Sequence, residues 1–189
     1  MDRPFALFGH SIGALIAFNL ARWLREHAGL SPALLLVSGR YAPHLPSLRP
    51  AVHALPDDRF FAELKYYGAT PDELLHDEDL RALFLPVLRA DFALFETATY
   101  ISQAPLSCPI VALSGQDDHT VTLERVEAWR EHTTNRFTLR ELPGGHFFLN
   151  THRGALLAAL GEELLPVLVA DSSARRSWLP RRQPSPLDR

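Results

Sequence analysis

The residues with the clearest chemical potential are Gly9-His10-Ser11-Ile12-Gly13, which join an apolar strand pattern to a helical one. This is a G-x-S-x-G turn, and its place between a strand and a helix is the setting in which such a serine acts as a nucleophile. The turn needs a strained backbone at Ser11, and side chains at Gly9 and Gly13 are expected to collide with neighbouring backbone. It lifts the hydroxyl clear of the sheet and sets it at a helix N-terminus, where free N–H groups favour negative charge. The Ile12 N–H is therefore a candidate oxyanion donor. A serine hydroxyl is weak without a base, and the chain order expected on this scaffold is serine, acid, histidine. Both later members stand just after strand patterns. "SGQDDHTV" (Ser114 to Val121) supplies the acid and "PGGHFFL" (Pro143 to Leu149) supplies His146. Asp118 is preferred as the acid because it stands three residues after Gly115; Asp117, in the same turn, is its rival. His146 would act as general base and then general acid, with the carboxylate holding its tautomer.

The remaining candidates carry less. His10 adjoins the serine and either lines the site or packs against it, and His119 follows the acid turn. His27, His44, His53, His76, His132 and His152 show no metal-ligand spacing, which predicts solvated helix or loop positions. Cys108 reads as a buried small hydrophobe. There is no P-loop and no G-x-G-x-x-G turn, so no nucleotide or other cofactor site is indicated.

The elements that must position these residues follow from periodicity. Pro4 to Phe8 and Ala33 to Val37 read as buried strands. Between them Ile12 to His27 reads as a helix, with Leu15, Ile16, Leu20, Trp23 and Leu24 at three- and four-residue steps. Strand, helix and strand with short connections make a parallel pair. Tyr41 to Gln103 is instead rich in proline and then in amphipathic helix: Asp57 to Tyr67, Pro71 to His76 after a Thr70 cap, and Asp79 to about Tyr100. It reads as a helical insertion. The sheet resumes with Pro109 to Leu113, a helix over Leu123 to His132, and Arg136 to Leu142, whose alternation suggests a strand near the edge. Gly154 to Val169 closes the domain as a helix. After Ala170 the Ser, Arg and Pro content predicts a disordered tail, residues 171–189.

Bulk properties agree with one domain, residues 1–170 with the insertion at 41–103. The 189 residues are 47% hydrophobic, enough for a sizeable core. A net charge of −3 argues against a nucleic-acid partner, and no apolar run is long enough for a membrane span or a signal peptide. One cysteine excludes an internal disulfide and fits, weakly, a cytoplasmic protein.

At this point the sequence resembles the type II thioesterases, stand-alone editing enzymes of polyketide and nonribosomal peptide synthesis. The resemblance rests on "FGHSIGALIAFNLAR", "SGRYAP", "GATPDELL", "LPVLRADFALFETATY", "CPIVALSGQDD" and "LPGGHFFL", covering most of Phe5 to Val169. It implies an α/β-hydrolase fold, a mostly parallel sheet flanked by helices, with the insertion as a lid. It also implies a triad of Ser11, Asp118 and His146. The substrates would be acyl or aminoacyl thioesters on the phosphopantetheine arms of carrier proteins, which are then the expected partners. The arm belongs to the substrate, so no cofactor is expected. Arg89 and Asp91, within the most family-specific stretch, are read as a structural ion pair in the lid. Members of this family carry several strands before the elbow strand, and a Phe-Pro-x-Ala-Gly-Gly-like loop among them supplies a second oxyanion N–H. This chain begins at the elbow strand. That predicts an apolar edge strand and, as the alternative to a working enzyme, a weakly active or inactive remnant that at most binds a carrier protein; a general serine esterase is a further alternative.

Overall fold

The structure, a computed structural model, describes residues 3–67 and 76–177. Four parallel strands form one sheet in the order β1-β2-β3-β4. They are β1 (Ala6–His10), β2 (Leu34–Ser38), β3 (Ile110–Gly115) and β4 (Phe137–Leu142). β2 and β3 are buried along their whole length, as central strands covered on both faces should be. β1 and β4 are the edges of this sheet. The edge position of β4 agrees with the alternation of its sequence.

The strand period of two sorts side chains between two cores. Leu35, Val37, Ile110 and Ala112 pack with Ala14, Ala17, Phe18 and Ala21 of α1 (Ile12–Ala28), together with Val126 and Trp129. On the opposite face Leu34, Leu36, Val111 and Leu113 meet Leu156 and Ala159 of the closing helix and the buried Phe148. α1 ends where Gly29 takes a left-handed conformation and its N–H reaches back to the Leu24 carbonyl.

Between β2 and β3 lies a helical lid with its own small core. Phe60, Phe61 and Leu64 of α2 (Asp57–Tyr67) pack with Leu85, Leu88 and Phe92 of α3 (Glu78–Thr97). α3 starts at Asp77, whose side chain caps the Leu80 N–H. The Glu96 side chain, 7% exposed, accepts hydrogen bonds from the Val52 and His53 N–H groups and from the His53 ring, tying α3 to the chain that enters the lid. The Arg89 guanidinium donates to the carbonyls of His53 and Leu55 and pairs with Asp57 at 2.6 Å. Its ion pair is thus structural, but the partner is Asp57; Asp91 is exposed. No strand lies between 41 and 103 among the described residues. The Thr70 cap and nearly all of the Pro71 to His76 helix lie outside the described residues.

Two boundaries differ from the sequence reading. The helix expected over Leu123 to His132 breaks into α4 (Leu123–Glu127) and a tight helical turn (Ala128–His132), because Trp129 and His132 are drawn into the core beneath Phe18. The closing helix, preceded by the single-turn α5 (Phe148–Thr151), is α6 (Arg153–Ser177), which carries helical backbone beyond the expected end at Val169 and into the expected tail. The rest of the predicted tail, 178–189, lies outside the described residues.

Candidate active site

The carboxyl ends of all four strands converge on one edge, the usual position for a site in an open parallel sheet. Ser11 follows β1 directly and has φ 53° and ψ −117°; it is a non-glycine residue with positive φ. Its N–H donates to the Ser38 carbonyl at 2.7 Å, so the end of β2 pins the turn. The steric reason for the flanking glycines holds on one side only. A Cβ on Gly9 would stand 2.0 Å from the Gly13 carbonyl oxygen, whereas one on Gly13 meets nothing within 4 Å. Gly9 is required so that the first turn of α1 can fold back over the strand. Ile12 opens α1, where its N–H has no preceding helical carbonyl.

The other two members arrive from loops laced together by backbone. Gln116 N–H donates to Leu142 O and Asp117 N–H to Gly144 O, joining the turn after β3 to the turn after β4. In that frame the Ser11 hydroxyl lies 3.2 Å from His146 Nε2, and His146 Nδ1 lies 2.9 Å from Asp118 Oδ2. The network assigns the tautomer: Nδ1–H donates to the carboxylate and Nε2 accepts from the serine. Asp118 and His146 are both buried, while Asp117 is exposed. Only Asp118 is brought to the imidazole.

Thr120, not singled out in the sequence, completes the arrangement. Its N–H and hydroxyl donate to Asp118 Oδ1 at 2.9 and 2.6 Å, and its hydroxyl oxygen lies 2.9 Å from His146 Nδ1. Burial acts to raise the Asp118 pKa, but the hydrogen bonds from His146 and Thr120 outweigh it and hold the carboxyl below its ordinary value. The only sequence trace of this role is a hydroxyl residue two positions after the acid.

A cavity of about 140 Å³ opens beside the serine, lined by Ser11, His146 and Arg40 of the sheet body and by Tyr41, Tyr66 and Phe95 of the insertion. Tyr66 and His119 clasp lid to body: the Tyr66 hydroxyl donates to the His119 carbonyl at 2.9 Å, and His119 Nε2–H donates to the Tyr66 carbonyl at 2.7 Å. Among the described residues no group of three or more His, Cys, Asp or Glu could hold a metal ion, and no helix is long and apolar enough to cross a membrane. Several histidines read as solvated are not. His132 is buried and shares a 2.8 Å hydrogen bond with His44, and His53 is engaged by Glu96.

The site thus gathers a serine hydroxyl, an imidazole hydrogen-bonded to a buried carboxylate, and a helix N-terminus beside a cavity. The family described as Thioesterase domain matches residues 1–175. The chain belongs to the thioesterase domain family. It is 43% identical over 172 residues to the linear gramicidin dehydrogenase LgrE of Brevibacillus parabrevis, a match covering 89% of this chain and 65% of that protein. It is 41% identical to the gramicidin S biosynthesis protein GrsT of Aneurinibacillus migulanus, covering 87% of this chain and 64% of that one. Among solved structures, RedJ, a thioesterase from the prodiginine biosynthetic pathway in Streptomyces coelicolor, superimposes with a TM-score of 0.77 at 43% identity, over 84% of this chain and 60% of RedJ. The chain thus spans slightly under two thirds of the length of these relatives.

Proposed function

We propose that this chain is the nucleophile-bearing part of a type II thioesterase, hydrolysing acyl or aminoacyl thioesters from the phosphopantetheine arms of carrier proteins that serve polyketide or nonribosomal peptide synthases. The observation that carries this reading is the continuous hydrogen-bonded run from Ser11 through His146 to Asp118 at the floor of a lid-covered cavity. Ser11 Oγ attacks the thioester carbonyl while His146 Nε2 takes its proton. The tetrahedral oxyanion forms near the Ile12 N–H. Collapse breaks the carbon–sulfur bond, and the proton on His146 goes to the departing thiol. Water then attacks the acyl-serine, giving its proton to His146, and the free acid leaves as Ser11 is restored. Thiolate is a good leaving group, so the enzyme's work is chiefly serine activation and oxyanion stabilisation. Asp118 stays ionised, opposite the imidazolium that forms in each step. The chemistry needs no metal or cofactor from the protein, since the arm arrives with the substrate. On this reading the partners are acyl or peptidyl carrier domains and the setting is cytoplasmic. The redox activity in the name of LgrE finds no nucleotide-binding glycine motif in this sequence.

The experiment is labelling with a fluorophosphonate probe alongside hydrolysis of an acylated carrier protein. Ser11→Ala is expected to abolish labelling and to lower kcat roughly ten-thousand-fold or more. Equal labelling of parent and variant sinks the proposal. Faster turnover of free acyl-thiol analogues than of carrier-bound thioesters turns it toward a general serine esterase.

A second reading, carrier binding with weak turnover, is favoured by one observation. Phe8 of β1 and Ile16, Leu20 and Trp23 of α1 are all exposed. Carrier binding without hydrolysis by the purified chain selects it.

A further inference from the structure

His10 precedes the serine, and nothing in the chemistry above uses it. Its ring is largely enclosed. Nδ1 shares a 2.9 Å hydrogen bond with the Ser38 hydroxyl, and Ser38 is fully buried. One side of the ring lies against the His146 imidazole, with ring centres 5.1 Å apart. Phe147 and Phe148 close the remainder, each at 5.7 Å. Phe147 also packs edge-on against His146 at 4.9 Å, so His10 and Phe147 together brace that imidazole. The end of β2 is shaped for the ring: Gly39 has φ +60°, and a Cβ there would lie 2.6 Å from His10 Cε1. Ser38 therefore grips the elbow twice, by its carbonyl on the Ser11 N–H and by its hydroxyl on the His10 ring.

We propose that His10 is a positioning residue: its ring, anchored on Ser38 and seated over Gly39, is the wedge that keeps the His146 imidazole in line between Ser11 and Asp118. The proposal rests on the reading of those three residues as the reacting set. The contacts of His146 with Ser11 Oγ, Asp118 Oδ2 and the Thr120 hydroxyl all run through its two ring nitrogens, so packing against the ring itself limits rocking about the line joining them. Misplacement of a reacting group by a fraction of its bond length to the substrate is costly, which gives the brace its function. The wedge must also stay uncharged. The titratable groups facing it are His146 and, behind it, Asp118; Ser38, Gly39, Phe147 and Phe148 supply the rest of its surroundings. Burial first, then His146, push its pKa down to about 4, against the opposing pull of Asp118. His10 is therefore neutral when His146 takes the serine proton, and does not repel the imidazolium.

The test uses the full chain and three variants, His10→Ala, His10→Phe and Ser38→Ala, with two readouts. The first is the split between kcat and KM on an acylated carrier protein. The second is the downfield proton resonance of the His146 Nδ1–H donated to Asp118, assigned by its loss in His146→Gln. His10→Ala is expected to lower kcat about a hundredfold with KM within about twofold. Its downfield resonance is broadened or lost while the thermal melt keeps its cooperativity. His10→Phe, which restores a ring without the anchor, recovers the resonance and part of kcat; Ser38→Ala falls between the two. If His10→Ala does not fold, the comparison of His10→Phe and Ser38→Ala with the parent decides. A resonance and kcat unchanged in every variant that folds, or a parent without that resonance, overturns the inference. A parent that neither labels nor hydrolyses, but whose resonance is lost in His10→Ala, overturns the hydrolase reading and leaves the brace standing.

Discussion

Ser11 is held in a backbone conformation that an isolated serine avoids, and the surrounding contacts over-determine it. The Ser38 carbonyl takes its N–H, and bare Gly9 lets the first turn of α1 close over the strand. Gly9→Ala places a Cβ in the Gly13 carbonyl and is expected to cost several kcal/mol or to prevent folding. Gly13→Ala, which meets open space among the described residues, is expected to change the urea midpoint little. A similar loss in both variants would show that the turn is limited by something other than this contact. Thr120 belongs to the same scale. Thr120→Val removes a hydrogen bond to a buried carboxylate, worth about 1.5–3 kcal/mol. The expected result is a kcat roughly tenfold to a hundredfold lower, with Thr120→Ser close to the parent; a Val variant at full rate would remove Thr120 from the site.

At the level of elements, the turn Ala128–His132 joins α1 to the entrance of the lid. The buried His132 packs edge-on against Phe18 of α1 at 5.0 Å and shares a hydrogen bond with His44. Burial, then His44, then Arg22 push its pKa down to about 4 from an ordinary 6.5. The unfolded chain therefore binds this proton at a higher pH than the folded one does. Stability rises with pH wherever the unfolded state holds more protons, so the contribution is complete above about 6.5 and is lost as pH falls toward 4. The loss is on the order of 3 kcal/mol at most, at about 1.4 kcal/mol per pKa unit. His10, pushed to about 4 by burial and His146, acts in the same direction and window. Urea unfolding of His132→Gln between pH 7 and 4 is expected to show a shallower pH dependence than the parent. An equal slope would place the acid sensitivity elsewhere.

On the scale of the whole molecule, two sheet faces are covered and the body and lid have separate cores. The clasp between Tyr66 and His119 crosses that division one residue from Asp118, so motion of the lid bears directly on the acid turn. The exposed surface is uneven. Phe8 of β1 is 43% exposed, and Ile16 and Trp23 of α1 are 52% and 53% exposed. Exposed large apolar side chains favour self-association. The chain is expected to associate with rising concentration in light scattering, and the pair Ile16→Lys and Leu20→Lys is expected to reduce this while keeping fluorophosphonate labelling. Association unchanged by these substitutions would assign the contact to another face.

Local signals were legible in the amino-acid order alone. The strand-to-helix turn at Ser11, the parallel pairing of β1 with β2, the helices of the insertion within Asp57–Tyr67 and Glu78–Thr97, and the placement of Asp118 and His146 just past strand ends follow from periodicity and turn chemistry over short windows. What needed the tertiary structure are contacts between residues far apart in the chain. Ser11 and His146 are separated by 135 positions and His146 and Asp118 by 28, so only the folded sheet brings Asp118, and not Asp117, to the imidazole. The same holds for Thr120 on the carboxylate, His10 on Ser38, His132 on His44 and Arg89 on Asp57. Each is a polar side chain whose partner is chosen by which distant segments the fold brings together. Residue type alone marks such a group as able to bond, and burial decides to what.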